Sequence, residues 1–172
     1  MVPVGLVGSG KTSVLKPLAE RLHLLRVSGD GIRRTIQDND GDLENTWGIG
    51  NLVVARFAER GYSIAHDTDG ATPKTQESIA RQAEKYGVSV IWIHVNPPED
   101  FILEKLKNYP HTWLFSDADE AIANYHARKP LHTDLPMDFT YTFDPSRPDL
   151  AEQIKDAVLA IHNALNTTPN TI

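Results

Sequence analysis

Eight residues near the start of the chain, Gly5-Leu6-Val7-Gly8-Ser9-Gly10-Lys11-Thr12, restrict its fold more than any other feature. They match the pattern G-x-x-x-x-G-K-[ST] in full. Backbone N–H groups can converge on phosphate oxygens only where side chains stand clear, which is the steric reason for glycine at these positions. Lys11 supplies a mobile cation for β- and γ-phosphates, and the Thr12 hydroxyl supplies a ligand for the Mg²⁺ that travels with them. The N-terminus of the following helix adds its dipole. The pattern is meaningful only between a strand and a helix. Met1–Val4 reads as a short strand, although it contains Pro3, and Val14, Leu15, Leu18 and Leu22 recur at helical spacing from Lys11 to His23. The expected phosphate contacts are Gly5, Gly8, Ser9, Gly10, Lys11, Thr12 and Ser13.

Short β-type runs alternate with amphipathic helices along the rest of the chain, the signature of a parallel sheet covered on both faces. Strands are expected at Leu24–Val27, Tyr62–His66, Val88–Val95 and Phe139–Phe143, with Val88–Val95 the most clearly buried. Between them lie a charged loop from Gln37 to Asn45, a helix from about Leu52 to Gly61, and a helix opened by Pro73 and ended by Gly87. Pro97-Pro98-Glu99 begins another helix through Leu106, and a last one runs from Leu150 to Leu165. The segment from Asn108 to Leu135 is irregular, aromatic and Pro-punctuated, with a helix between Ser116 and Ala127. The expected architecture is α/β: one domain over residues 1–172, with an open, mostly parallel five-stranded sheet flanked by helices and a small lid at 108–135.

Further chemistry lies at the strand ends. Asp30 follows the second strand, with Arg33 three residues later and Arg34 beside it. A carboxylate there points at the carboxyl edge of the sheet, where ligands bind in such folds, and is placed to accept a proton from a hydroxyl attacking a γ-phosphate. The bland alternative is an N-capping aspartate on a surface helix. Asp67 ends the third strand in the manner of a carboxylate that holds Mg²⁺, with Asp69 a close competitor and simple turn chemistry the other reading. Asp67-Thr68-Asp69-Gly70 also fits the D-x-x-G of GTPases, but no Asn-Lys-x-Asp guanine motif accompanies it.

Lys105, Lys107, Arg128 and Lys129 are the cations available to a lid, each equally a candidate for an ordinary solvated charge. Trp113 and Phe115 either line a substrate pocket or form the lid's own small core. Arg147 is a weak candidate for a place beside the nucleotide base. The seven histidines form no metal pattern, and His66 and His94 sit at strand positions as packed or edge residues.

The net charge of -6, from 17 Lys+Arg against 23 Asp+Glu, argues against a partner such as bulk nucleic acid or anionic membrane. The absence of cysteine excludes disulfides, thiolate metal sites and thiol nucleophiles. No apolar run approaches the ~20 residues of a membrane span, and no secretory signal opens the chain, so a cytoplasmic location is expected. The sequon-like Asn166-Thr167-Thr168 is then coincidental.

Taken in order, Gly5–Thr12, Ser28-Gly29-Asp30-Gly31-Ile32-Arg33, the Asp67 strand end, Val88–Val95 with Asn96-Pro97-Pro98-Glu99, and Phe143–Leu150 resemble the polynucleotide-kinase-like and zeta-toxin-like P-loop kinases. The resemblance runs from Val4 to about Ile161. It implies ATP and Mg²⁺ as cofactors and transfer of the γ-phosphoryl group to a hydroxyl, with Asp30 at the position of the general base and Arg33 at that of the substrate-anchoring arginine. In the region where that group presents lid arginines, this chain has Lys105 and Lys107, which lack the bidentate guanidinium fork. The expectation is an ATP-dependent kinase acting on a small molecule or nucleotide hydroxyl. A 5′-hydroxyl polynucleotide kinase and a regulatory ATPase without an acceptor are the alternatives.

Overall fold

All five expected strands form, but they do not make one continuous sheet. The structure, a computed structural model, describes residues 1–44, 46–109, 111 and 114–167. Strands β1 (Val2–Val4), β4 (Trp92–Val95) and β5 (Tyr141–Phe143) pair in parallel in the order β1-β4-β5. Strands β2 (Leu25–Ser28) and β3 (Ile64–Asp67) form a separate parallel pair. The expected five-stranded sheet is therefore corrected to three strands plus two.

Pro3 accounts for the break. The N–H of Met1 donates to the Ile64 carbonyl at 2.8 Å, and that of His66 to the Met1 carbonyl at 2.9 Å, so β3 runs alongside β1. The next donor in a parallel ladder is the N–H of residue 3, and proline has none. Contact resumes only when the Gly70 N–H reaches the Pro3 carbonyl at 3.1 Å, beyond the end of β3.

The fourth strand is also shorter than expected. Val2 and Val4 pair with Trp92 and His94, so three-residue β1 offers nothing to the segment before Ile91, and Val88 is 41% exposed. A strand extends only as far as its neighbours supply partners.

The helices are α1 (Lys11–Arg21), α2 (Gly29–Gln37), α3 (Thr46–Glu59), α4 (Pro73–Tyr86), α5 (Glu99–Asn108), α6 (Ala118–Arg128) and α7 (Leu150–Thr167), with a 3-10 turn at Lys129–His132. Local chemistry sets many of their ends. The Thr72 hydroxyl accepts from Thr75 N–H at the start of α4, and Gly87 closes that helix in the left-handed conformation. Asp117 caps α6 by accepting from Glu120 N–H at 2.9 Å, while the Glu120 carboxylate accepts from Ser116 N–H at 2.7 Å. Helix α2 and the first turns of α3 flank the charged Gln37–Asn45 loop and carry no clear helical period in the sequence. Glycines at 29, 31, 48 and 50 weaken the helical signal there, but the Ser28 hydroxyl caps α2 by accepting from Gly31 N–H.

The main core lies on the face of the β1-β4-β5 sheet covered by α1 and α7. Val14, Leu15 and Leu18 meet Ile93, Val95 and Phe143 from the strands and Ile154, Ala157 and Ile161 from α7. A second cluster joins Leu6 of the phosphate loop to Ile102 and Leu106 of α5 and to Ala121 and Tyr125 of α6. Helix α6, inside the segment read as an irregular lid, is therefore anchored by its own buried side chains. Both clusters abut the loop that carries Gly5–Thr12.

Candidate active site

The phosphate loop is shaped by close packing. A Cβ on Gly5 would lie 2.5 Å from the Val95 carbonyl oxygen, which leaves no room for a side chain. Gly8 and Gly10 take φ of 79° and 95°, the left-handed region that turns their amides inward and that side chains rarely adopt. Ser9 N–H donates to the Leu6 carbonyl at 3.1 Å, and its buried hydroxyl finds no hydrogen-bond partner among the described residues. The Lys11 ammonium folds back to donate to the Gly5 and Leu6 carbonyls at 2.6 and 3.0 Å. Burial pushes this ammonium below its ordinary range, while Asp69, Asp67 and Asp30 pull it back up. A half-buried cation inside a ring of glycine amides is a site that suits an oligophosphate.

Beside the loop, the Thr12 hydroxyl donates to Asp67 Oδ2 at 3.2 Å. Asp67 ends β3 directly opposite Ser28 of β2, with its side chain 7% exposed. Thr12 and Asp67 are the residues that would hold Mg²⁺, and the hydroxyl–carboxylate donor set fits that hard cation. Among the described residues no group of three or more histidine, aspartate or glutamate side chains closes on a common metal position. Asp69 accepts from Ala71 N–H at 3.1 Å, and its Oδ2 lies 3.4 Å from Nε2 of His132. Burial pushes the Asp69 carboxyl up, but the His132 contact and the Lys11 charge outweigh it and hold the group below the usual carboxylate range.

A cleft of about 650 Å³ opens over these groups. Its lining includes Gly8, Gly10, Lys11, Thr12 and Ser13 from the loop and α1, Asp30 and Arg33 from α2, Asp67 and Asp69 after β3, Lys105 of α5, and Arg128 of α6. Asp30 sits in the first turn of α2, where the helix dipole favours a carboxylate. Of the expected site residues, Gly5, Ser9, Lys107 and Arg147 do not line the cleft and the others do; Gly5 and Ser9 are buried within the loop itself. Lys107 is exposed and does not line the cleft, whereas Lys105 two residues earlier does, because positions two apart on a helix face nearly opposite ways. Arg147 also lies outside the lining and pairs with Asp149. Phe115 lines the cleft, and Trp113 falls outside the described residues.

Four residues of this site were not singled out from the sequence. Arg26 of β2 donates to Asp67 Oδ2 through Nε at 3.0 Å and through a terminal nitrogen at 2.5 Å. Its signal was the period of two that puts Arg26 and Ser28 on one face of a strand. Trp47 lines the cleft from the start of α3, beneath Lys74, whose ammonium is 4.2 Å from the ring centre. His111 lines it from the other side. Burial and Lys105 push its imidazole below the usual range, against the pull of Asp30. His132 reaches Asp69 only through tertiary folding.

Parallel strands whose carboxyl ends carry a phosphate-binding loop, with a hydroxyl–carboxylate pair beside a buried lysine, define the P-loop kinases, and the chain is an ATP-binding protein of this class. It belongs to the AAA domain family, whose sequence model matches residues 1–127. A shikimate kinase from Synechococcus sp. (strain CC9605) is 28% identical over 182 residues, covering 96% of this chain and 83% of that protein. Among solved structures, a gluconokinase from Sinorhizobium meliloti 1021 superposes with a TM-score of 0.63 at 16% identity, covering 95% of this chain and 91% of that one. A shikimate kinase from Acinetobacter baumannii, in complex with shikimate, does so with a TM-score of 0.58 at 20% identity, covering 95% and 92%. The two structural likenesses speak for the fold alone. These relatives support the P-loop kinases broadly and do not single out the polynucleotide-kinase-like or zeta-toxin-like group. Among the described residues no helix is long and apolar enough to cross a membrane.

Proposed function

We propose that the chain transfers the γ-phosphoryl group of ATP to a hydroxyl of a small-molecule acceptor. The observation that carries this reading is that one cleft is lined both by Lys11 and Thr12 of the phosphate loop and by Asp30 and Arg33 of α2. A carboxylate and an arginine in the same cleft as the phosphate loop are the two groups an acceptor hydroxyl calls for, one to take its proton and one to hold it.

In this reading Asp30 accepts the proton of the attacking hydroxyl, and Arg33 holds the acceptor in line. Lys11, with Lys105 and Arg128 across the cleft, stabilises the charge spread over the migrating phosphoryl oxygens. When bound, Mg²⁺ neutralises part of the phosphate charge. Residues 108–135 serve as the lid, α6 turning on its Tyr125 anchor so that Arg128 closes over the phosphates and water is excluded. The relatives named above are called shikimate kinase and gluconokinase, and a small hydroxylated acid is an acceptor class that suits a cleft combining Asp30 with Arg33.

The test is ADP release measured against a panel of sugars, sugar acids, cyclic hydroxy acids, nucleosides and 5′-hydroxyl oligonucleotides. Stimulation by a hydroxylated small molecule, with phosphate recovered on that molecule, is expected. Release that no acceptor alters would favour the regulatory ATPase, and stimulation by oligonucleotides alone would favour a polynucleotide kinase.

A further inference from the structure

Strand β2 alternates a buried Val27 with Arg26 and Ser28 on its other face. In the parallel register Arg26 stands opposite Ala65 and Ser28 opposite Asp67, so Arg26 and Asp67 are diagonal neighbours across the β2-β3 pair. The guanidinium exploits that diagonal. It places two N–H groups on Asp67 Oδ2, the same oxygen that accepts from the Thr12 hydroxyl. The pair is only partly open to water, the Asp67 side chain being 7% and the Arg26 side chain 29% exposed. Asp67 is the carboxylate on which the metal position rests, so a fixed positive charge of the chain itself already sits where a divalent cation would draw its main attraction.

Two further charges shape this position. Lys11 adds a second cation facing Asp67. Asp69, the neighbouring carboxylate, is engaged by Ala71 N–H and His132. A bare divalent ion entering here meets two cations, and a carboxylate oxygen that already accepts three hydrogen bonds. An ion arriving with a nucleotide brings its own phosphate oxygens, which supply the missing negative charge and draw Lys11 toward them.

We propose that Arg26 is a positioning residue that occupies Asp67 as a built-in counter-ion, so that a divalent metal enters this site only together with a nucleotide and not alone. The proposal rests on the nucleotide-kinase reading of the cleft. Arg26 also fixes the Asp67 carboxylate beside the Thr12 hydroxyl before any ligand arrives.

The test uses Mn²⁺ as the probe, followed by electron paramagnetic resonance, with wild type, Arg26→Gln, Arg26→Met and Arg26→Lys. Thermal unfolding checks that each variant folds, and Arg26→Gln retains an N–H donor for Asp67 if the Met variant does not. In the absence of nucleotide, wild type should bind Mn²⁺ weakly, and adding ADP should create a tight site. Arg26→Gln and Arg26→Met should bind Mn²⁺ without nucleotide roughly tenfold or more tightly than wild type, because the competing charge is gone. Arg26→Lys keeps the charge and should behave as wild type, a rescue that a purely structural role for the guanidinium would not produce. Free Mn²⁺ affinity unchanged in the neutral variants, or raised equally in the Lys variant, would overturn the proposal. Tight Mn²⁺ binding by wild type without nucleotide would do so as well. A wild type in which ADP creates no Mn²⁺ site would count instead against the nucleotide-kinase reading, and the nucleotide-free comparison of variants would still decide the role of Arg26.

Discussion

Nε2 of His132 and Oδ2 of Asp69 stand 3.4 Å apart, with the histidine side chain 6% exposed. The pair ties the 3-10 turn after α6 to the loop after β3, whose carboxylate is coupled to Lys11. His132→Ala should cost about 0.5–3 kcal/mol of stability, from the space left by a side chain only 6% exposed and the loss of its contact with Asp69. It should also speed amide exchange across Ala118–His132 more than in β4. Urea titration and hydrogen exchange measure both, and exchange unchanged in α6 would show that the pair does not tether it.

Lys11→Ala should abolish Mg·ATP binding or turnover while leaving the fold intact, since among the described residues the ammonium donates to the loop carbonyls of Gly5 and Leu6 and ties no other element together. Calorimetric titration with ATP and a circular dichroism melt check the two halves of this statement. Equal affinity and turnover in the variant would move the nucleotide away from Gly5–Thr12.

Asp30→Asn keeps the size of the side chain but removes its capacity to take a proton. Nucleotide should still bind while acceptor phosphorylation falls. General-base losses run to about 10²–10⁴-fold, and the low end is expected because loose phosphoryl-transfer transition states depend more on positioning. Arg33→Ala should raise the acceptor KM more than it lowers kcat. Full phosphorylation by Asp30→Asn would pass the role to Asp67 or Asp69, and loss of ATP binding would mark Asp30 as a structural or metal residue.

Gly8→Ala combines a left-handed φ of 79° with a Cβ placed 3.0 Å from Leu106. The backbone strain alone is worth about 1 kcal/mol, and relief by shifting the loop would turn its amides from their common centre. A lowered Tm together with weaker ATP binding is expected. Unaltered ATP affinity would mean that the Gly8 amide takes no part in the cradle.

His94 stacks on Phe139 with ring centres 4.5 Å apart, and burial, assisted by the charge of His132, pushes its imidazole below the ordinary range. Below the ordinary histidine value of about 6.5, the unfolded chain takes up a proton that folded His94 resists. Its contribution to stability is thus complete above that pH and is lost as the pH falls below it. His66, pushed down to about 4 chiefly by burial, acts in the same direction. His94→Gln should therefore flatten, without abolishing, the fall in unfolding free energy between neutral and mildly acidic pH. Denaturant unfolding across that range measures the slope, and an identical slope in the variant would exclude His94 as a contributor.

The phosphate loop, the alternation of strands and helices, and the Pro73 start and Gly87 end of α4 were all legible in the chain itself. Each depends on interactions within a few residues: a φ only glycine tolerates, a cap three residues away, an apolar period. The positions of Asp30 and Asp67 followed from the same local logic, because a residue just past a strand must emerge at the sheet's carboxyl edge. Tertiary structure decided what depends on which strand lies beside which. Pro3 was visible as a missing donor, but only the placement of β3 beside β1 made that donor matter, because the vacant N–H position faces β3 and splits the sheet in two. Arg26 meets Asp67 only because β2 and β3, far apart in sequence, pair in one register. His132 reaches Asp69, and Trp47 reaches the cleft, only once the helices have packed. These contacts join distant segments, and their energy appears only after chain entropy has been spent to bring those segments together.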